Sequence, residues 1–185
     1  MKFLIASDLH GDLAAARLLL ERFEHERADR LILLGDLLYH GPRNDLPQHY
    51  EPKGVIALLN AMHTRILAVR GNCDTEVDQT VLHFPILSDY AVFPLSNGSL
   101  AYLTHGHKYP DEHALPLAPD DVIVRGHTHV AGVSCSRDGH VMLNPGSLSI
   151  PKDGTPRCYM VYDGHSFAIR ELCDGRDFAV WEPIS

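Results

Sequence analysis

The sequence predicts an α/β (α+β) fold in which two mixed β-sheets pack face to face with helices outside, and three observations point to it. Five short apolar runs of strand type each stop on a metal-ligating residue: LIAS at Asp8, RLILLG at Asp36, ILAVRG at Asn72, AYLT at His105 and DVIVRG at His127. Up to Phe84, strand-like runs alternate with helical stretches as β-α-β-α-β. Beyond it, short strands follow one another, separated by SNG, RDG, KDG and DG turn signals. Two facing sheets with helices outside bury both sets of apolar runs.

In order along the chain, Asp12 is the expected N-cap of an amphipathic helix that runs to about Glu26, after a tight turn at Gly11. A strand at 30–35 follows. Residues 40–52 carry three prolines and a glycine, which marks a long ordered loop lying over the strand ends. A second helix is expected from about Lys53 to His63, then the strand that ends at Asn72. A short helix from Asp74 to about His83 is capped by Asp74 or Thr75. The later strands are read at 91–94, 100–104, 121–125, 130–135, 140–143, 158–162 and 166–171.

Composition bounds the function. With 185 residues and 45% hydrophobic content, the chain reads as a single domain, 1–185, able to bury a core without staples. Four scattered cysteines form no CxxC pair, and the stretch after Lys2 is too short for a signal peptide, so the expectation is a cytoplasmic protein without a membrane span. A formal charge of -8 argues against duplex nucleic acid or an anionic membrane as partner. It leaves room for a small phosphorylated substrate.

In open α/β sheets the carboxyl ends of the strands converge on one crevice, so ligands placed there by separate strands face a common point. Asp8 brings His10 with it and His127 brings His129. Two carboxylates, an amide and four imidazoles suit a pair of divalent cations of intermediate hardness. Such a pair would leave the site locally +2, because Asp8 and Asp36 supply -2 against +4. His127 and His129 sit two apart and would point to opposite faces of a strand, so their joint ligation needs the backbone to turn after Gly126. Any one of these residues alone is better read as a turn former or a hydrogen-bonded core group. Read that way, the seven together need a separate coincidence at every strand end. His25, His49, His63, His83, His113, His140 and His165 have no such company and are read as solvated or packing residues. Arg43, in the Pro-rich loop, is either a fork donor to a substrate phosphate or a brace for the loop.

DLHG from Asp8, GD at Asp36, GNCD from Gly71, THGH from Thr104 and GHTH from Gly126 resemble, in order, the five motifs of the calcineurin-like metallophosphoesterases. With HGPRN from His40, NPGS from Asn144 and SIPK from Ser149, the resemblance is closest to the bacterial YfcE-type phosphodiesterases. It implies a four-layer αββα sandwich with a dinuclear site at the strand ends. Asp8, His10 and His129 would hold one metal, Asn72, His105 and His127 the other, and Asp36 would bridge both. It implies Mn(2+) as the first expectation, with Zn, Fe or Co as alternatives. The expected reaction is hydrolysis of a small phosphodiester by a metal-activated hydroxide, with the amide of Asn72 serving both a metal and a phosphate oxygen. Where most of the wider family reads GNHD, this chain has Cys73, which leaves Cys73, His107 and His40 as candidate acids for the leaving group. Two other readings stand beside the diesterase: a phosphomonoesterase using the same metals, and a protein-binding scaffold such as the retromer subunit of the same fold. The strand-rich back half is a candidate for pairing subunits into a homo-oligomer.

Overall fold

A computed structural model describes residues 1–109 and 115–183; His113 lies outside the described residues. The chain forms two mixed sheets. In the six-stranded sheet, β1 (Phe3–Ala6), β2 (Arg30–Leu33) and β3 (Ile66–Ala68) run parallel, and β9 (Cys158–Tyr162), β10 (Phe167–Glu171) and β11 (Asp177–Trp181) extend it antiparallel in the order β11-β10-β9-β1-β2-β3. The five-stranded sheet is ordered β4-β5-β6-β8-β7, from β4 (Tyr90–Pro94), β5 (Leu100–Thr104), β6 (Val122–Arg125), β7 (Gly132–Cys135) and β8 (Val141–Asn144). Within it β5, β6 and β8 are parallel, and the two edge strands are antiparallel.

The near-continuous apolar runs of β1 and β2 fit strands buried on both faces. Leu4, Ala6, Leu31 and Leu33 turn to one side, where α1 (Leu13–His25) and α2 (Pro52–Ala61) bring Ala15, Ala16, Leu19, Phe23, Val55 and Leu59. Ile5 and Ile32 turn to the other and meet Ala101, Leu103, Val122, Val124 and Leu143 of the second sheet. Each of the Leu, Ile, Val and Phe side chains contributes about 1.5–3 kcal/mol on burial. Asp12 caps α1 as expected, its carboxylate accepting from the Ala15 amide at 3.0 Å. Pro52 opens α2, where a missing N–H costs nothing. The Pro-rich loop is tied down at its end: the Leu13 amide donates to the His49 carbonyl and the Glu51 amide to that of Gly11.

Three further details complete the fold. The short helix α3 covers only Glu76–Val81, and Thr75 caps it through a reciprocal box with Asp78, because the Asp74 carboxylate is engaged elsewhere. A strand absent from the sequence reading, β11, forms the sheet edge. Its residues alternate between exposed and half-buried, so the run lacks the continuous apolar signal of β1, and only pairing to β10 makes it a strand. On the outer side of the five-stranded sheet, the described part of the β5–β6 connection forms no helix. Tyr102 there donates to the Pro116 carbonyl, and Pro116 and Pro119 disfavour a helix in this stretch.

Candidate metal centre

β1, β2, β3, β5 and β6 all end at one rim of the two-sheet core, and there the backbone departs from strand geometry. Asp8, His10, Asp36, His127 and His129 adopt left-handed conformations, with φ between 47° and 69°. Such conformations cost roughly 1–3 kcal/mol each for non-glycine residues and persist only where the surroundings enforce them. The enforcement is visible. The Ser147 and Ser149 hydroxyls both donate to the Asp8 carbonyl, at 2.8 and 3.0 Å. The His10 amide donates to the Asp36 carbonyl at 2.9 Å. Asp74, buried behind the rim, accepts from the amides of Asp36, Leu37 and Gly71 at 2.7–2.9 Å, which locks the end of β2 to the end of β3. Asn144 donates to the Gly126 carbonyl and to Thr128 Oγ1, fixing the turn that carries both His127 and His129.

Two glycines are required by close approach. A Cβ on Gly71 would lie 2.2 Å from both the amide and the carboxylate of Asp36. One on Gly126 would lie 1.9 Å from the Ser7 hydroxyl and 2.7 Å from the Asp8 carboxylate.

The left-handed turns bring all seven predicted ligands together. His10 Nε2 lies 3.2 Å from His129 Nε2, and Asp8 Oδ1 lies 3.2 Å from the latter and 3.6 Å from the former. His105 Nε2 lies 3.0 Å from Asn72 Oδ1, 3.2 Å from His127 Nδ1 and 3.4 Å from Asp36 Oδ2. Asp36 Oδ2 is also 3.8 Å from His10 Nε2, so this carboxylate stands between the two groups. Gly126 therefore does allow the turn that aims His127 and His129 inward, each into a different cluster.

The tautomers make this arrangement informative. The other ring nitrogens of His10, His129 and His105 sit 2.7–2.8 Å from the carbonyl oxygens of Tyr39, Ile150 and Leu34. A carbonyl only accepts, so each of these nitrogens carries the proton and each Nε2 of the neutral ring presents a lone pair. Those lone pairs face one another, two carboxylates and an amide oxygen. Acceptors packed against acceptors, with Asp8 Oδ1 buried and lacking a hydrogen-bond partner, call for cations. The donor set fits divalent metals of the kind bound by mixed carboxylate and imidazole ligands.

The ionisation of the site follows from the same crowding. Burial alone would raise Asp8, but the neighbouring imidazoles of His10, His129 and His105 hold its carboxyl far below the usual carboxylate range. Burial alone would lower His105, yet the carboxylates of Asp36 and Asp8 beside it raise it to about 9. Without metal, the cradle draws protons in place of cations.

A pocket of about 340 Å³ opens over the cluster, lined by Asp36, Asn72, His127 and His129 together with Arg43, Asn44, Thr128 and Lys152. Arg43 thus reaches the pocket. None of the three candidate acids lines it. Cys73 is buried beneath Gly41, its thiol pushed up by burial and by Asp36. The His40 ring sits between Tyr39 and Tyr50. The His107 ring stands 5.3 Å from that of His105, and burial together with His105 and His127 lowers it to about 4. Asn44, Thr128 and Lys152 are pocket residues the sequence reading did not single out, although all three lie within or beside the motifs HGPRN, GHTH and SIPK.

A two-sheet core with these ligands at its strand ends is the architecture of a phosphoesterase, and comparison with known proteins agrees. Residues 1–166 match the family model of the calcineurin-like phosphoesterase superfamily domain, and the chain belongs to that superfamily. It is 45% identical over 174 residues to Phosphodiesterase YfcE of Escherichia coli strain K12, covering 94% of each chain. The solved structure of that E. coli phosphoesterase superposes with a TM-score of 0.91 at 43% identity over the whole of both chains. Vps29 of Chaetomium thermophilum, with a TM-score of 0.60 at 16% identity and 98% and 96% of the two chains covered, shares the fold alone.

Proposed function

We propose that the protein is a metal-dependent phosphodiesterase that cleaves a small phosphodiester at a dinuclear centre. The observation that carries this reading is the facing of imidazole nitrogens against one another and against Asp8, Asp36 and Asn72 at the floor of an open pocket. The preference for a diester rests on the relative named as a phosphodiesterase. Asp8, His10 and His129 would hold one cation, Asn72, His105 and His127 the second, and Asp36 both. Bound there, divalent cations such as Mn(2+) supply Lewis acidity, acidifying water and offsetting negative charge on the phosphoryl group.

The chain's own groups do the rest. The carbonyls of Tyr39, Ile150 and Leu34 fix three imidazole tautomers, so no reorganisation precedes ligation. Asn72 keeps an amide donor, now on the Cys73 sulfur at 3.2 Å, that can turn to a phosphoryl oxygen. Arg43 lines the same pocket, where its planar fork of donors can meet a ligand anion. With Cys73, His107 and His40 all away from the pocket wall, the enzyme is expected to favour leaving groups that need little protonation.

The test is hydrolysis of bis(4-nitrophenyl) phosphate beside 4-nitrophenyl phosphate by protein stripped of metal and resupplied with Mn, Zn or Mg, with Asp36→Asn as blank. Activity that returns with metal, prefers the diester and is lost in the variant supports the reading. Folded protein with no activity under any metal contradicts it.

A further inference from the structure

We propose that Lys152, with Arg43, forms an anion subsite on the wall of the pocket, so that the substrate is a phosphodiester carrying a second anionic group on one of its alcohols. This rests on the phosphodiesterase reading and narrows its substrate class to esters bearing a carboxylate or a further phosphate.

The first support is the pocket itself. Its eight lining residues include no aliphatic side chain and no Phe, Tyr or Trp. Ligand pockets are ordinarily lined mainly by apolar and aromatic groups, and base or aryl groups are held by stacking on such rings. Among the described residues that line it, no Phe, Tyr or Trp offers a stacking face, while about 340 Å³ leaves space beyond the phosphoryl group on the floor. Whatever occupies that space meets a guanidinium, an ammonium, an amide and a hydroxyl.

The second support is how Lys152 is held. Its amide donates to the carbonyl of His129 at 3.0 Å, which ties it to the ligand-bearing turn. Its carbonyl accepts from both the amide and the hydroxyl of Thr155, at 3.0 and 2.9 Å. Asp153 and Gly154 between them both have positive φ, 52° and 72°, the geometry of a type I′ turn. Four backbone and side-chain constraints thus fix the origin of a flexible cation at the pocket's edge.

The third support is charge. Arg65, Arg70, Arg157 and Arg170 make ion pairs with carboxylates, whereas among the described residues neither Arg43 nor Lys152 makes one. Two uncommitted cations opening onto one pocket, in a chain of formal charge -8, are placed to meet a ligand anion. Arg43 presents a planar fork, and Lys152 a compact charge on a long stem able to follow the ligand.

Calorimetry on Mn-loaded protein tests this with three non-hydrolysable probes that share a phosphonate head: propylphosphonate, 2-carboxyethylphosphonate and ethylene-1,2-bisphosphonate. The wild type is expected to bind at least one anionic-tailed probe about tenfold more tightly than propylphosphonate, the worth of one charge-assisted hydrogen bond. Which tail gains more tells carboxylate from phosphate. In Lys152→Met the ratio falls to about one, in Lys152→Arg it is retained, and added salt shrinks it. Equal affinities in the wild type, or a ratio untouched by Lys152→Met, would overturn the proposal. A preserved ratio in protein that hydrolyses no aryl diester would count against the diesterase reading and leave the subsite standing.

Discussion

Strand β1 has a buried carboxylate network at each end, and the two are opposites. Beside its start, Glu26 is closed: Oε1 accepts from the Tyr159 hydroxyl at 3.0 Å and from Arg170 at 2.7 Å, and Oε2 from Lys2 at 2.8 Å. Against the cost of burial, those donors hold its carboxyl down at about 2. Beyond its end, Asp8 and Asp36 are open: the backbone amides of His127 and Cys73 donate to one oxygen of each, and the other oxygen faces imidazole nitrogens at 3.2–4.0 Å. One network is complete as folded. The other is complete only when cations are added. The contrast separates a charge buried for stability from a charge buried for chemistry.

The sharpest way to break this contrast is at Asp36. Asp36→Asn removes the carboxylate shared by both clusters, and diester hydrolysis should fall by about a thousandfold or more, several kcal/mol of transition-state stabilisation. The fold should survive, since Asp74 still receives the amide of residue 36. Retention of full activity in folded variant protein, measured with Mn supplied, would place the chemistry elsewhere.

Metal should next stabilise the open end and leave the closed end indifferent. At a thousandfold excess over its dissociation constant, a cation that binds only the folded state adds about 4 kcal/mol, roughly 10 °C in Tm for a domain of this size. Differential scanning calorimetry of stripped and Mn-loaded protein measures it. Glu26→Gln should show the same metal-dependent increment.

The closed end has the complementary signature. Glu26→Gln should cost about 2–3 kcal/mol of stability at neutral pH, as hydrogen bonds to a charged group are lost, without changing metal stoichiometry. Because the folded state depresses this carboxyl, its stabilisation is fully present above the ordinary glutamate value of about 4.5 and fades as pH falls towards about 2. The difference in Tm between wild type and variant should shrink over that window. A difference constant with pH would mean that Glu26 contributes packing and not charge.

The smallest effect is expected at Ser147. Its hydroxyl is one of two on the Asp8 carbonyl, so Ser147→Ala should cost about 1 kcal/mol and loosen the first metal more than the second. Denaturant unfolding and metal titration read the two parts separately.

The sequence shows one side of this contrast far more clearly than the other. Asp8, Asp36, His105 and His127 stand out because each ends an apolar run, and the parallel order of those strands follows from the same runs. Asp74 is invisible in this way: the signal that names it, an acidic residue before a helix, is the signal of an N-cap, and Thr75 takes that place. Lys152 and Asn44 have ordinary loop surroundings, and only the folding of three separate segments onto one pocket brings them to Asp36. Glu26 reads as the end of a helix, since its partners Lys2, Tyr159 and Arg170 are remote in sequence. Edge strand β11 escapes notice because its half-exposed alternation carries little periodic apolar signal.

The central claim, that facing lone pairs form a cradle for two cations, is tested most directly by counting them. Equilibrium dialysis of stripped protein against Mn(2+), followed by metal analysis, should give two bound ions per chain in the wild type and a loss of tight binding in Asp36→Asn. One ion or none in folded wild-type protein would contradict it.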